Sequence, residues 1–113
     1  MEKMIKALPE VDKKLFRDPI IGEALINSTM EAFRGGPNGA AQEMKLLLKP
    51  WGFDLKNINC PITIWQGTLD PQAPISHAKL FAKLIPGAQL NLIENEGHHS
   101  LIQNHLADIL NQL

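Results

Sequence analysis

The sequence predicts an α/β chain: a helical segment, then a strand, a crossover helix, a second strand and a closing helix. Three observations carry that order. Residues 1–50 show only helical patterning, punctuated by prolines and glycines. PITIWQG, residues 61–67, is a short β-branched and aromatic run bounded by Pro61 and Gly67, which suits a buried parallel strand. PGAQLNLIE, residues 86–94, repeats that strand grammar after one intervening helical stretch.

In the first half, ALPEVDKKLF puts Pro9 where a helix can begin. RDPIIGEALINSTMEAF offers Asp18 as a cap with Pro19 as the first helical residue. Within it Glu23, Asn27 and Glu31 recur every four residues and form one polar stripe on a largely apolar cylinder, a helix that needs cover on most of its girth. RGGPNG breaks the pattern, and AAQEMKLLLK resumes it with Ala40, Ala41, Met44, Leu47 and Leu48 on one face. Residues 1–50 read as a helical cap or lid segment; a plain helical bundle subdomain has the same periodicity. Residues 51–113 read as an α/β segment. In SHAKLFAKLI, Leu80, Phe81, Leu84 and Ile85 share a helical face with Ser76 as cap. In SLIQNHLADILNQL, Ile102, Leu106, Ile109, Leu110 and Leu113 do the same.

Composition bounds the function. The 113 residues carry a formal net charge of -1, with 11 Lys and Arg against 12 Asp and Glu and no dense basic run, so neither nucleic acid nor an anionic membrane is an expected partner. MEKMIKALPEVDKK lacks the apolar core of a signal peptide, and no run of about eighteen apolar residues occurs. One cysteine, Cys60, excludes an intramolecular disulfide and fits a reducing compartment, with the cytoplasm as the expected location. His98, His99 and His105 lack the spacing of a zinc site, and no metal or cofactor is expected.

The topology makes a site. A strand, crossover helix and strand pair in parallel, so both strands end at one sheet edge, where α/β folds bind ligands. QGTLDPQAP follows the first strand and NEGHHS the second, and neighbouring strands lie about 4.8 Å apart. Asp70 and the His98, His99 pair therefore meet on adjacent loops. A carboxylate there can accept an imidazole Nδ1 proton, fix the tautomer and stabilise the imidazolium formed when Nε2 takes a proton. Asp70 before Pro71 is also a common turn pattern. His99 reads as a surface residue, since neighbours in an extended chain point to opposite sides. His77 and His105 read as exposed or boundary residues.

These residues resemble the α/β-hydrolase fold family. PITIWQGTLDPQAP is similar to its strand carrying W-x-G-x-x-D-x-x-x-P, and LIPGAQLNLIENEGHHSLI to its last strand and G-H motif. The resemblance implies a triad acid at Asp70 and the triad histidine at His98, in the family's chain order. It implies a serine hydrolase acting on an ester, amide or related carbonyl, with His98 as general base and then acid and Asp70 orienting it. Many members insert a cap where the helical half sits. The resemblance covers residues 51–113 well and residues 1–50 more loosely.

The nucleophile is missing. In this family it sits in G-x-S-x-G, and no glycine lies two residues to either side of Ser28, Ser76 or Ser100. Cys60 in INCPI precedes a strand, at the wrong edge for a shared site, and reads as buried packing. The resemblance therefore implies the cap and C-terminal portion of a hydrolase, inactive by itself. Two parallel strands are marginal alone, so self-association, or packing against the missing half, is expected. The alternative is a non-catalytic interaction module in which Asp70 and His98 are relics. Trp51, Phe53 and Trp65 are candidates to line a pocket, or to be core.

Overall fold

The computed structural model describes residues 2–112. Among them run α1 (Glu2–Lys6), α2 (Glu10–Arg17), α3 (Ile21–Ala32), α4 (Asn38–Leu47), a 3₁₀ turn (Leu55–Asn57), β1 (Thr63–Gly67), α5 (Ile75–Leu84), β2 (Gln89–Ile93) and α6 (Ser100–Leu110). The strands are parallel and in register, with Thr63 opposite Gln89 and Gly67 opposite Ile93. Helix α5 connects them and packs on both strands and on the 3₁₀ turn. The β-α-β order expected from hydrophobic periodicity is thus present. Leu113, expected to end the apolar stripe of α6, lies outside the described residues. No helix among the described residues is long and apolar enough to cross a membrane.

The chain forms two compact units. One joins Met1–Leu15 to Asp54–Leu113; the other is Phe16–Phe53. Helix α1 and most of α2 thus group with the strands. Among the described residues the buried apolar side chains, Leu8, Ala78, Ile85 and Leu101, all fall in the first unit. Gly22 is the buried residue of the second among those described. The girth of α3 is accordingly left open around Met30, and the apolar face of α4 leaves Met44 and Leu47 exposed, with Leu48 just beyond it 83% exposed.

Local chemistry explains the helix starts. The Pro9 carbonyl accepts from the Lys13 N–H at 3.1 Å, which starts α2 just after the proline. Asp18 Oδ1 accepts from the N–H groups of Ile20 at 2.9 Å and Ile21 at 2.8 Å. It works as the expected cap, although α3 begins at Ile21, beyond Pro19. Ser76 does not cap α5: Pro74 occupies that place, and no side chain bonds there. An extended Pro74 with ψ 139° turns the chain into the helix one residue before the serine.

Strand β1 is not buried throughout. Its exposure declines along its length, from an exposed Thr63 to a buried Gln66 and Gly67, so cover is concentrated where the chain leaves the strand. Cys60 is exposed rather than packed, since it precedes that covered end.

Candidate active site

The loops leaving β1 and β2 are tied together before either reaches its key residue. Thr68 donates its N–H to the Ile93 carbonyl at 3.0 Å, and Leu69 donates to the Glu96 carbonyl at 2.8 Å. Thr68 Oγ1 accepts the Asn95 N–H at 3.0 Å and meets Glu94 Oε2 at 3.3 Å. Gly67 makes this closeness possible, because a Cβ there would run into the Glu96 carbonyl. Buried Gln66 secures the far side of the first loop, its Nε2 donating to the carbonyls of Gly67 and Ala73 at 3.0 Å each.

Asp70 consequently has little freedom. Its Oδ1 accepts from the backbone N–H groups of Gln72 at 2.7 Å and Ala73 at 3.0 Å, an Asx turn that orients the carboxylate. Its Oδ2 lies 2.8 Å from His98 Nδ1. Both readings of Asp70, turn residue and imidazole partner, describe the same side chain. Its side chain is 6% exposed, against 41% for His98. Burial alone would raise the Asp70 pKa, but hydrogen bonds from His98, Ala73 and Gln72, with the charge of His98, outweigh that and hold it below 3.8.

His99 is not the outward surface residue that extended-chain alternation predicts. The chain turns at His98 and His99, and His99 has αR torsions at the N-cap of α6, so period-two alternation does not apply. Its ring meets that of His98 edge-on, centroids 5.2 Å apart. Burial lowers its pKa below 6.5 and His98 pushes the same way; Asp12 and Asp70 oppose this without reversing it. His77 is exposed. His105 sits at the boundary with Nε2 3.3 Å from Glu96 Oε1 and Nδ1 3.4 Å from Asp108 Oδ2.

Sequence reasoning missed several polar residues that build the site. Asp12, from α2, is 0% exposed and accepts backbone N–H groups from His98, His99 and Ser100. Ser100 is also fully buried, its hydroxyl accepting the Gly97 N–H at 2.8 Å, a structural role. Glu96 accepts from Asn104 Nδ2 at 3.0 Å. Burial raises its pKa, yet hydrogen bonds from Ser100, Asn104 and His105 together hold it below 4.5. Gly97 is required for the space it leaves, not for its torsions. The left-handed residue of this loop is Asn95, φ 63°, whereas a Cβ on Gly97 would enter the Asp12 carboxylate. Only Gly67 and Gly97 carried a signal in the sequence, as glycines flanking the two loops.

The aromatic residues fall elsewhere. Trp51 and Phe53 lie together, ring centroids 5.8 Å apart, and both are exposed. Trp65 tilts against His105. An open hollow of about 430 Å³ is lined by Pro61, Ile62, Thr63, Trp65, Ile109 and Gln112, toward the start of β1 rather than the end that leads to Asp70. Among the described residues no group of three or more His, Cys, Asp or Glu could hold a metal ion.

The site is therefore a buried carboxylate and a partly exposed imidazole on adjacent loops at the carboxyl ends of parallel strands. No family model matches the chain. No solved structure matches it. A stretch of 47 residues is 43% identical to Rhodomycin D methylesterase DnrP of Streptomyces peucetius, covering 42% of this chain and 16% of that protein. Rhodomycin D methylesterase DauP of Streptomyces sp. strain C5 is 45% identical over 47 residues, with the same coverage. The similarity thus takes in less than a fifth of either relative's length.

Proposed function

We propose that this chain is the C-terminal part of an α/β-hydrolase, in which Asp70 and His98 serve as the acid and base of a triad whose serine lies outside this sequence. The observation that carries the reading is the 2.8 Å contact between Asp70 Oδ2 and His98 Nδ1 on the loops leaving two parallel strands. With the Nδ1 proton on the Asp70 side, Nε2 is the basic nitrogen of His98. It takes the proton of the serine hydroxyl as Oγ attacks a substrate carbonyl. It then returns that proton to the leaving group, and water, activated the same way, releases the acid and restores the serine. The names of the two similar proteins favour an ester among the possible carbonyl substrates.

Exposed Met30 of α3 and the exposed apolar face of α4 fit a helical cap that packs against a further part of the protein. They equally favour a second reading, a non-catalytic interaction module that retains the pair as a relic. One measurement tests the missing serine, and a second separates the two readings. The 113-residue chain should hydrolyse esters no faster than its His98→Ala variant, and His98-dependent turnover by this chain would sink the missing-serine argument. A longer polypeptide that supplies G-x-S-x-G should be labelled by a serine-reactive phosphonate, with labelling slowed by several orders of magnitude in His98→Ala. Labelling indifferent to His98 would favour the relic.

A further inference from the structure

We propose that Asp12 is the positioning residue of the candidate site, holding the backbone of His98 so that its imidazole meets Asp70; this rests on the reading of that pair as the acid and base of a triad. Helix α6 begins without a cap of its own, since the side chain of His99, at its N-cap position, makes no capping hydrogen bond. The carboxylate that replaces it comes from α2, in a different part of the chain. Asp12 Oδ2 accepts the His98 N–H at 2.9 Å, and Oδ1 accepts those of Ser100 at 2.8 Å and His99 at 3.2 Å. Ser100 Oγ takes the remaining N–H of the turn, that of Gly97.

Four consecutive amides, 97 to 100, are thereby satisfied at the positive end of a helix dipole, three of them by one buried carboxylate. Charge-assisted bonds of this kind are about twice as strong as neutral ones, and a carboxylate with no exposure has no water to compete for them. The consequence falls on His98. Among the described residues its side chain has one hydrogen bond, to Asp70, and its ring meets that of His99, whose backbone Asp12 also holds, so the direction of the ring depends on where the backbone is held, and the backbone is held by Asp12. Gly97 belongs to the same device. It leaves the space that the Asp12 carboxylate fills beneath the turn.

A cap that merely stabilised α6 would leave the imidazole untouched, so the test reads the imidazole. In the 113-residue chain the His98 Nδ1 proton should give a low-field hydrogen-bonded NMR signal, and Asp70→Ala should abolish it while protection of amides 98 to 100 from exchange persists. Asp12→Asn keeps the size of the side chain but loses its charge. It should speed exchange at those three amides by about tenfold or more and weaken or remove the Nδ1 signal. Protection at the amides of Gln72 and Ala73, which Asp70 itself binds, should remain. Gly97→Ala, which displaces the carboxylate without replacing it, should do the same and serves if Asp12→Asn does not fold. An unchanged Nδ1 signal in either folded variant would overturn the proposal, even with faster amide exchange. Absence of that signal from the unmodified chain would instead overturn the Asp70–His98 pair reading on which it rests.

Discussion

Three groups at the site titrate away from their ordinary values, and they divide into two pH windows. His99 is held below 6.5, so between its folded pKa and 6.5 the unfolded chain binds more protons than the folded one. Stability therefore falls as pH drops below 6.5. Asp70 and Glu96 are held below 3.8 and 4.5, and their contribution is complete above those values and lost as pH falls through the depressed ones. Thermal melts from about pH 7.5 down to about pH 3 should show two separate losses of stability. His99→Asn should remove the upper loss and leave the lower. A single loss confined to the carboxylate range would contradict the burial of His99.

At the scale of elements, the starts of α3 and α5 provide a matched pair. Both helices follow a proline and a polar residue lies near each start, but only Asp18 accepts backbone N–H groups. Asp18→Ala should cost about 1 kcal/mol in chemical denaturation, as loss of a cap does, and Ser76→Ala should be neutral within about half of that. A comparable cost for both would mean that Ser76 contributes in a way its position does not reveal. The two strands show the same lesson in another form. The apolar run of β1 was legible as a strand, but its best-buried side chain is Gln66, whose amide bridges two carbonyls of the following loop. Period and composition can identify a strand; they do not say which end is covered.

Across the molecule, apolar surface exceeds what the chain itself covers. Ile20, Met30, Phe33, Met44, Leu47 and Leu48 are exposed in one unit, and Leu69, Leu80, Ile102, Leu106 and Leu110 in the other. Among the described residues β1 and β2 pair with each other alone, so each has an outer edge with no strand beside it. We expect the isolated chain to self-associate, through these edges or the faces of α3 and α4. Light scattering over a concentration series should show mass above that of the 12.6 kDa monomer. Leu47→Glu with Leu48→Glu should reduce it if the α4 face is responsible. A monomer at high concentration would count against the expectation.

What the sequence determined by itself was the order of elements and the loops that hold Asp70 and His98. Those are local matters: residue spacing marks helix and strand, glycine and proline mark their ends, and a parallel crossover brings both strand ends to one edge. Tertiary structure alone decided that Asp12 lies under His98, that Gly97 is small for the sake of Asp12, and that the backbone of His99 is held by the same carboxylate. These depend on hydrogen bonds between residues 86 to 88 positions apart. An acidic residue in the first turn of an exposed-looking helix has the same sequence signature whether it faces solvent or caps another helix, because its partner's backbone N–H groups leave no mark on the sequence.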